Sequence, residues 1–310
     1  MLGRLSLAVF ALLQSATPAP ALPTLALPRA PRVMVVAPHP DDETLGVGGF
    51  IYRLTRQRIP TRVVFVTNGD GWPWAVQEDF ALKRPTDADF VALGELRQQE
   101  AYAATRRLGL HRSDVRFLGF PDGGLAELWR THWSRGHPYT SPYTKEDSPP
   151  YAGTVNPDAS YDGQDLTSVL MRLLRDFQPN VVIMPHPYDA HPDHAHTSYF
   201  VTEAIDALQQ LHELSPNVLI VTYLVHNGYW PPALRSRHDP MSPPPRSRIP
   251  DTAWTNIDLT PGEQAAKEAA LHEYRSQLEA SENLLRSFLR PNEIFGRVKS
   301  QVFARISAVH

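Results

Sequence analysis

Five short apolar runs punctuate the chain, at residues 33–37, 61–67, 115–118, 181–185 and 218–225, and much of the sequence between them repeats its apolar residues at helical spacing. This alternation constrains the fold more than any other feature. The runs are rich in Val, Ile and Phe and are not split into an apolar and a polar face, the pattern of strands buried on both sides. Strands joined by a helix-length crossover pair in parallel, whereas an antiparallel hairpin needs only a short turn. The chain is therefore expected to be α/β, with a mostly parallel sheet and helices on both faces.

The helices can be placed by their punctuation. Leu45, Phe50, Ile51 and Leu54 predict a first helix over 46–58. Thr86 or Asp87 caps a second, running to about residue 108 with Phe90, Leu93, Leu96 and Ala104 on its apolar face. Residues 164–178 carry Leu166, Val169, Leu170, Leu173, Leu174 and Phe177 on one stripe. Pro192 opens a helix to about 214, and the capping box Thr260-Pro261-Gly262-Glu263 opens one or two more to about 289. Ile257 and Leu259 belong to a further strand, and 297–306 to a last edge strand. Two stretches break the rhythm: 129–163, rich in Pro, Tyr, Trp, His and Ser, and the Pro-rich 231–250 with Arg235, Arg237, Arg246 and Arg248. Loops this long are uncommon in compact domains, so both are read as insertions that shape a substrate site or adorn the surface.

Composition narrows the functions. Of 310 residues, 42% are hydrophobic, enough for one large core, and residues 32–310 are read as a single domain carrying the two insertions. With 30 basic and 33 acidic residues, no nucleic-acid partner is expected and no protein partner is indicated. The absence of cysteine excludes thiolate metal sites and a cysteine nucleophile, so any metal must be held by His and carboxylates. Arg4 precedes an apolar run at 5–13 and then Ala19-Pro20-Ala21, which reads as an export signal over 1–21. That run is shorter than the roughly 20 residues of a membrane span. The expectation is an exported, periplasmic or extracellular protein, with an uncleaved anchor as the alternative and the Pro-rich 22–31 as a tether.

The strand ends carry the chemistry. In a parallel sheet they share one edge, and here they deliver His39/Asp41/Asp42, Asp70, Asp122, His191/His194 and His226. His39 and Asp42 are three apart, as are His191 and His194, so on a turn or first helical turn each pair can reach one cation. Two His and one carboxylate with positions left open is a catalytic zinc arrangement. The assignment is His39, Asp42 and His194 as ligands of one Zn²⁺ per chain, other divalent ions remaining open. Asp41 is the general base beside a water of lowered pKa, and His191, tuned by Asp193, is the oxyanion donor or acid. His186, His196 and His226 lack such support individually and are read as supporting or surface residues. Trp72, Trp74, Trp129, Trp133, Tyr139 and Tyr143 either line a groove for sugar faces or pack their own loops.

Three rivals were weighed. His39-x-Asp41 with a distant His is also the spacing of an Fe(II) facial triad, which would make Asp41 the ligand, although such triads usually sit on all-β barrels. An exported metal- or glycan-binding protein without turnover is a second. Dinucleotide binding is disfavoured because Gly46-x-Gly48-Gly49 lacks the G-x-G-x-x-G spacing.

The stretch Ala37-Pro38-His39-Pro40-Asp41-Asp42-Glu43-Thr44-Leu45-Gly46 resembles the signature of the LmbE-like (PIG-L) family of zinc-dependent N-acetylglucosaminyl deacetylases, and His191-Pro192-Asp193-His194 resembles its second motif. Lesser likenesses run from Val66 to Asp70, through Arg97 and Glu100, at Leu118 to Gly123, at Tyr274 to Gln277 and at Glu293 to Gly296. The resemblance covers about residues 32–300. It implies a Rossmann-like fold and hydrolysis of the acetamide on a glucosamine-type sugar or glycoconjugate. It implies the same roles for His39, Asp42, His194, Asp41 and His191, and adds substrate contacts from Arg97 and Asp122. The export signal and the two insertions depart from the family pattern and point to an exported glycan or glycoconjugate as substrate.

Overall fold

The computed structural model describes residues 21–81, 83–236, 238–299 and 302. The expected signal up to residue 20, Arg237 and most of 300–306 lie outside the described residues. Among the described residues no helix is long and apolar enough to cross a membrane.

The apolar runs become β1 (Val33–Ala37), β2 (Thr61–Thr67), β3 (Val115–Phe120), β4 (Val181–Pro185) and β5 (Leu219–Tyr223), joined by β6 (Thr252–Asp258) and β7 (Asn292–Val298) in one sheet ordered β3-β2-β1-β4-β5-β7-β6. The first five are mutually parallel, and β7 runs antiparallel to both its neighbours. The chain winds outward from β1 in one direction and from β4 in the other. The crevice between the C-terminal ends of β1 and β4 is thus the topological switch point, where open α/β sheets bind ligands.

Among the described residues the helices α1 (Asp42–Arg56), α2 (Pro73–Asp79), α3 (Asp87–Arg107), α4 (Leu125–Arg130), α5 (Gly163–Phe177), α6 (Pro192–Gln210), α7 (Pro261–Leu271) and α8 (Arg275–Arg286) accompany the sheet. Alternate residues of each strand face opposite sides. Val33, Val35, Val63 and Phe65 pack under Leu45, Ile51, Ala104 and Leu271 of the α1, α3 and α7 layer. Met34, Val36, Val64 and Val66 pack under Leu128, Leu170, Phe200 and Val201 of the α4, α5 and α6 layer. Full burial of each Val or Phe contributes about 1.5–3 kcal/mol.

Helix α1 carries glycines that cost helix propensity but permit close approach. A Cβ on Gly46 would stand 2.5 Å from the Tyr223 ring, and one on Gly49 2.5 Å from Leu259. The glycines therefore let the helix that leads away from the site lie directly on β5 and on the turn after β6.

The structure departs from expectation at four places. The last strand is 292–298 and lies inside the sheet, not at its edge, because Asn292–Val298 pairs with β6 along its whole length while Gly296 meets Thr222 of β5. A buried carboxylate hid it: Glu293 leaves the core pattern to accept hydrogen bonds from Gly49 N and Phe50 N and to pair with Lys267 Nζ at 2.7 Å. Leu96 is 36% exposed. The buried stripe of α3 runs instead through Phe90, Leu93, Arg97, Glu100, Ala101 and Ala104, with two charged residues turned inward toward partners. Helix α6 ends at Gln210, short of 214. Within 22–31, Leu25 is buried in the core and residues 23–25 hydrogen-bond along Asn256 of β6, so this part of the expected tether is an extra edge pairing.

Candidate active site

The loop after β1 turns sharply into α1. Asp41 sits at φ 135°, ψ −30°, a conformation that side chains rarely adopt. Such backbone costs of order 1–3 kcal/mol and persists only where its surroundings over-determine it. Here they do. The Asp41 N–H donates to Glu43 Oε2 at 3.3 Å, and Arg97 Nη2 donates to Pro40 O at 2.7 Å while lying 3.5 Å from Asp41 Oδ2. Glu43 is fully buried and accepts from Tyr274 Oη at 2.6 Å. Glu100, one turn after Arg97, accepts from Ser276 N and Oγ at 2.9 and 2.6 Å. Asp42 and Glu43 also fill the acidic first turn that favours a helix dipole, so the motif serves the helix and the site together.

Beside this turn, the loop after β4 feeds α6. Asp42 Oδ2 lies 3.2 Å from His39 Nδ1 and 3.2 Å from His194 Nε2, so one carboxylate oxygen joins the two distant motifs. Two donors about 2.0–2.1 Å from a tetrahedral zinc would be about 3.3 Å apart. His194 is completely buried, and among the described residues neither ring nitrogen has a hydrogen-bond partner. Its Nδ1 faces Asp189 Oδ2 at 3.3 Å. A buried imidazole with its nitrogens between carboxylates and no hydrogen bond suits a metal ligand oriented from behind. His39, His191 and His194 can present ring nitrogens to one ion, as can Asp42, His194 and His226.

The charge distribution has the same demand. Burial opposes charge on His39, yet Asp122, Asp193 and Asp42 outweigh it and hold its pKa well above the ordinary value. Burial likewise opposes charge on His194, but Asp42 and Asp189 raise it to about 10. Burial raises Asp41 to about 8 against the pull of Arg97. Burial, then His39 and His194, depress His191 to about 4, so that ring is neutral. Its Nδ1 accepts from Asp193 N at 3.2 Å, which leaves the proton on Nε2. The cluster is an excess of buried carboxylate around two imidazoles, and it calls for a cation.

All eight residues expected at the site come together. Asp41, Asp42, His39, His191, Arg97 and Asp122 line a pocket of about 380 Å³. His194 and Asp193 lie directly beneath it through their contacts with Asp42 and His39. Asp122 reaches His39 Nε2 at 3.1 Å and accepts from Gly71 N at 2.7 Å. The Asp193 side chain turns to His39 Nε2 at 3.3 Å and accepts from Gly123 N and Leu125 N; only its backbone N–H meets the His191 ring. Arg97 donates to Gly69 O and Pro40 O, so its pocket edge faces Asp41. The Fe(II) triad is not met: Asp42, not Asp41, stands between the imidazoles, and the fold is α/β.

Sequence reasoning left three contributors outside the assigned site. His226, recognised at the end of the fifth run but read as supporting or surface, lines the pocket with its ring centroid 4.8 Å from that of His194. Asp189, in the loop after β4, faces His194 Nδ1. Ser281, Leu284 and Leu285 of α8 form a wall for which no local pattern speaks, beside Gln277 from one of the lesser family likenesses. Among the aromatics, Trp72 and Tyr143 line the pocket, Trp74 is exposed, and Trp129 is buried against Phe200. His186 bonds Thr252 Oγ1 and His196 bonds Pro192 O, both away from the pocket. The 129–163 insertion also sends Tyr151 to the Asp70 carboxylate.

Known proteins share sequence and fold with this chain. A family profile described as PIG-L, GlcNAc-PI de-N-acetylase, matches residues 34–205. A 1D-myo-inositol 2-acetamido-2-deoxy-alpha-D-glucopyranoside deacetylase of Mycobacterium sp. (strain KMS) is 32% identical over 185 residues, 58% of this chain and 51% of its own length. A probable N-acetyl-alpha-D-glucosaminyl L-malate deacetylase 2 of Bacillus anthracis is 27% identical over 179 residues, 57% of this chain and 61% of its own. The chain thus spans about half the length of the first of these relatives and somewhat more of the second. The N,N'-diacetylchitobiose deacetylase of Pyrococcus horikoshii aligns with TM-score 0.51 and 20% identity over 88% of this chain and 85% of its own. A zinc-inhibited form of teicoplanin deacetylase aligns with TM-score 0.51 and 18% identity over 86% and 97%. These structures share the fold.

Proposed function

The chain belongs to the PIG-L family, and on that premise we propose that it is a zinc-dependent hydrolase removing the N-acetyl group from a GlcNAc-type sugar or glycoconjugate. The observation that carries the reading is the single Asp42 oxygen placed 3.2 Å from both His39 and His194, with Asp41 held in a strained turn beside it. His39, Asp42 and His194 would hold one zinc ion, which when bound supplies a Lewis acid that polarises an amide carbonyl and lowers the pKa of water toward ~7.

The remaining roles belong to the chain's own side chains. Asp41 takes the proton of the attacking water, and passes it to the departing amine as the C–N bond breaks. Burial sets its pKa near 8 against the pull of Arg97, within the range of a general base. Arg97 orients the Asp41 carboxylate from 3.5 Å. His191, with its proton on Nε2, donates to the oxyanion that forms on the carbonyl oxygen. Asp193 and Asp122 fix the far edge of His39, and Asp122 with Arg97 is left to meet sugar hydroxyls. Trp72 and Tyr143 offer faces on which a sugar ring can stack. Export through the N-terminal segment is part of the proposal and would place the substrate outside the cytoplasm.

The test is acetate release from a panel of N-acetylated sugars and glycans by the zinc-loaded chain, beside Asp41→Asn. Turnover by the parent and none by a variant that still holds zinc supports the reading. Acetate release undiminished in Asp41→Asn, or no release by the zinc-loaded parent across the panel, defeats it.

A further inference from the structure

We propose a second ligand site, for a small molecule bearing two or more phosphate-type oxyanions, in an arginine-lined groove at the opposite edge of the sheet. The groove, of about 790 Å³, is lined by Arg62, Arg112, Arg116 and Arg172, with Asp176 as the carboxylate among them. Arg62 stands at the start of β2, whereas the catalytic pocket lies beyond its end. The five residue-to-residue steps from Arg62 to Thr67 alone span about 16 Å at ~3.3 Å per step. The groove therefore cannot be a lobe of the catalytic pocket.

Several arginines elsewhere on the molecule are ion-paired. Arg53 pairs with Glu263, Arg107 with Glu273, Arg135 with Asp165 and Arg175 with Glu213. None of the four groove arginines is ion-paired among the described residues, although the chain as a whole carries a net charge of −3. Their positions are nevertheless set. The Arg112 guanidinium lies 3.7 Å over the Tyr102 ring and that of Arg62 4.6 Å over Phe177. Arg172 Nη2 donates to Val155 O at 2.7 Å, and Arg116 Nη1 to Val115 O at 2.9 Å. Stacking on a ring covers the face of a guanidinium and leaves its N–H edge free for a planar, bidentate partner. Among the described residues the buried Arg62 Nε has no hydrogen-bond partner. Burial, with Arg116 and Arg32 adding to it, pushes the Arg62 pKa down against Asp114 and Asp176.

The lining bears on the ligand. Val155 and Leu173 give the groove an aliphatic part, which suits the body of a small organic anion. Four guanidiniums around one hollow exceed what a single phosphate can engage bidentately.

The experiment is calorimetric titration of the zinc-loaded full chain with fructose 1,6-bisphosphate as probe, at low salt, beside the double variant Arg116→Gln/Arg172→Gln. Thermal melts and metal content of the variant confirm that it is folded and loaded. The expected result is saturable one-site binding that weakens about tenfold per guanidinium removed and falls as salt is raised. Equal affinity in the double variant, or no saturable heat up to roughly 10 mM probe, overturns the proposal. So does arginine-dependent binding to phosphatidylglycerol vesicles without binding of the probe, which would assign the arginines to a membrane surface.

Discussion

Asp189 makes the sharpest prediction, because it touches no substrate position and yet should control the metal. Its side chain is fully buried. Oδ2 accepts from Val225 N at 2.9 Å and His226 N at 3.1 Å and faces His194 Nδ1 at 3.3 Å, while Oδ1 accepts from His191 N at 3.0 Å. One carboxylate thereby ties the end of β5 to three histidines of the site. It faces His194 Nδ1 from behind and so would orient the imidazole with Nε2 toward a metal beside Asp42. In Asp189→Asn, an amide N–H₂ must face either the Val225, His226 and His194 donors or the His191 N–H. The negative charge behind the imidazole is also lost. Removing such a supporting group typically weakens metal binding 10–100-fold, or about 1.4–2.7 kcal/mol. Each backbone N–H left unpaired costs a further 1–3 kcal/mol or so of stability. The assay is competition for zinc against a chromophoric chelator, with melts of the loaded and stripped protein alongside. A variant that melts lower but keeps parental zinc affinity within about twofold would refute the argument and leave Asp189 a structural tie only.

Other perturbations follow from the same contacts. Asp41→Asn should retain zinc and fold while hydrolysis drops by two or more orders of magnitude; a bound-metal assay beside acetate release checks both halves. His194→Ala should lose the metal outright, seen as less than about a tenth of the parental zinc by elemental mass spectrometry. Glu293→Ala should destabilise the chain by about 3–5 kcal/mol in urea unfolding, since it strands buried Lys267 and frees the Gly49 and Phe50 amides; a loss below about 1 kcal/mol would show that water replaces the carboxylate. Burial raises Glu43 to about 7. An acid whose folded pKa exceeds its unfolded ~4.3 contributes stability at low pH that is lost as pH rises between the two values. Metal-free Glu43→Gln should therefore gain on the parent from about pH 4.3 to 7, and a difference constant with pH would contradict this.

How much of this was legible depends on the range of the interaction concerned. The apolar runs, the helical stripes and the caps are local periodicities, and strands β1 to β5 and helices α3, α5, α6 and α7 were readable from them. So was the placing of His39, Asp41, Asp42, His191 and His194 at strand ends on one edge, because parallel pairing makes every strand end there. The proposed ligand choice of Asp42 over Asp41 rests on three-residue spacing and on the family resemblance, and the backbone geometry is compatible with it. Asp41 occupies the strained turn and faces Arg97, which leaves Asp42 at the helix start pointing between two rings.

Other features arise from packing between distant segments, and no local pattern encodes them. The sheet order that sets β1 beside β4 is one. The charged stripe of α3 is another: Arg97 and Glu100 read as a break in amphipathicity, yet they are buried because Asp41 and Ser276 wait on the other side. Trp129 and Tyr143 lie in one irregular stretch with similar composition around them, and only the packing against Phe200 or over Gly71 separates core from pocket wall. His226 and α8 join the site from beyond residue 205, where the family profile ends. The sequence by itself determined which candidate residues gather at one edge of the sheet. Tertiary structure decided which atoms face one another, because distances of 3 Å between residues 150 positions apart are set by the packing of the whole sheet.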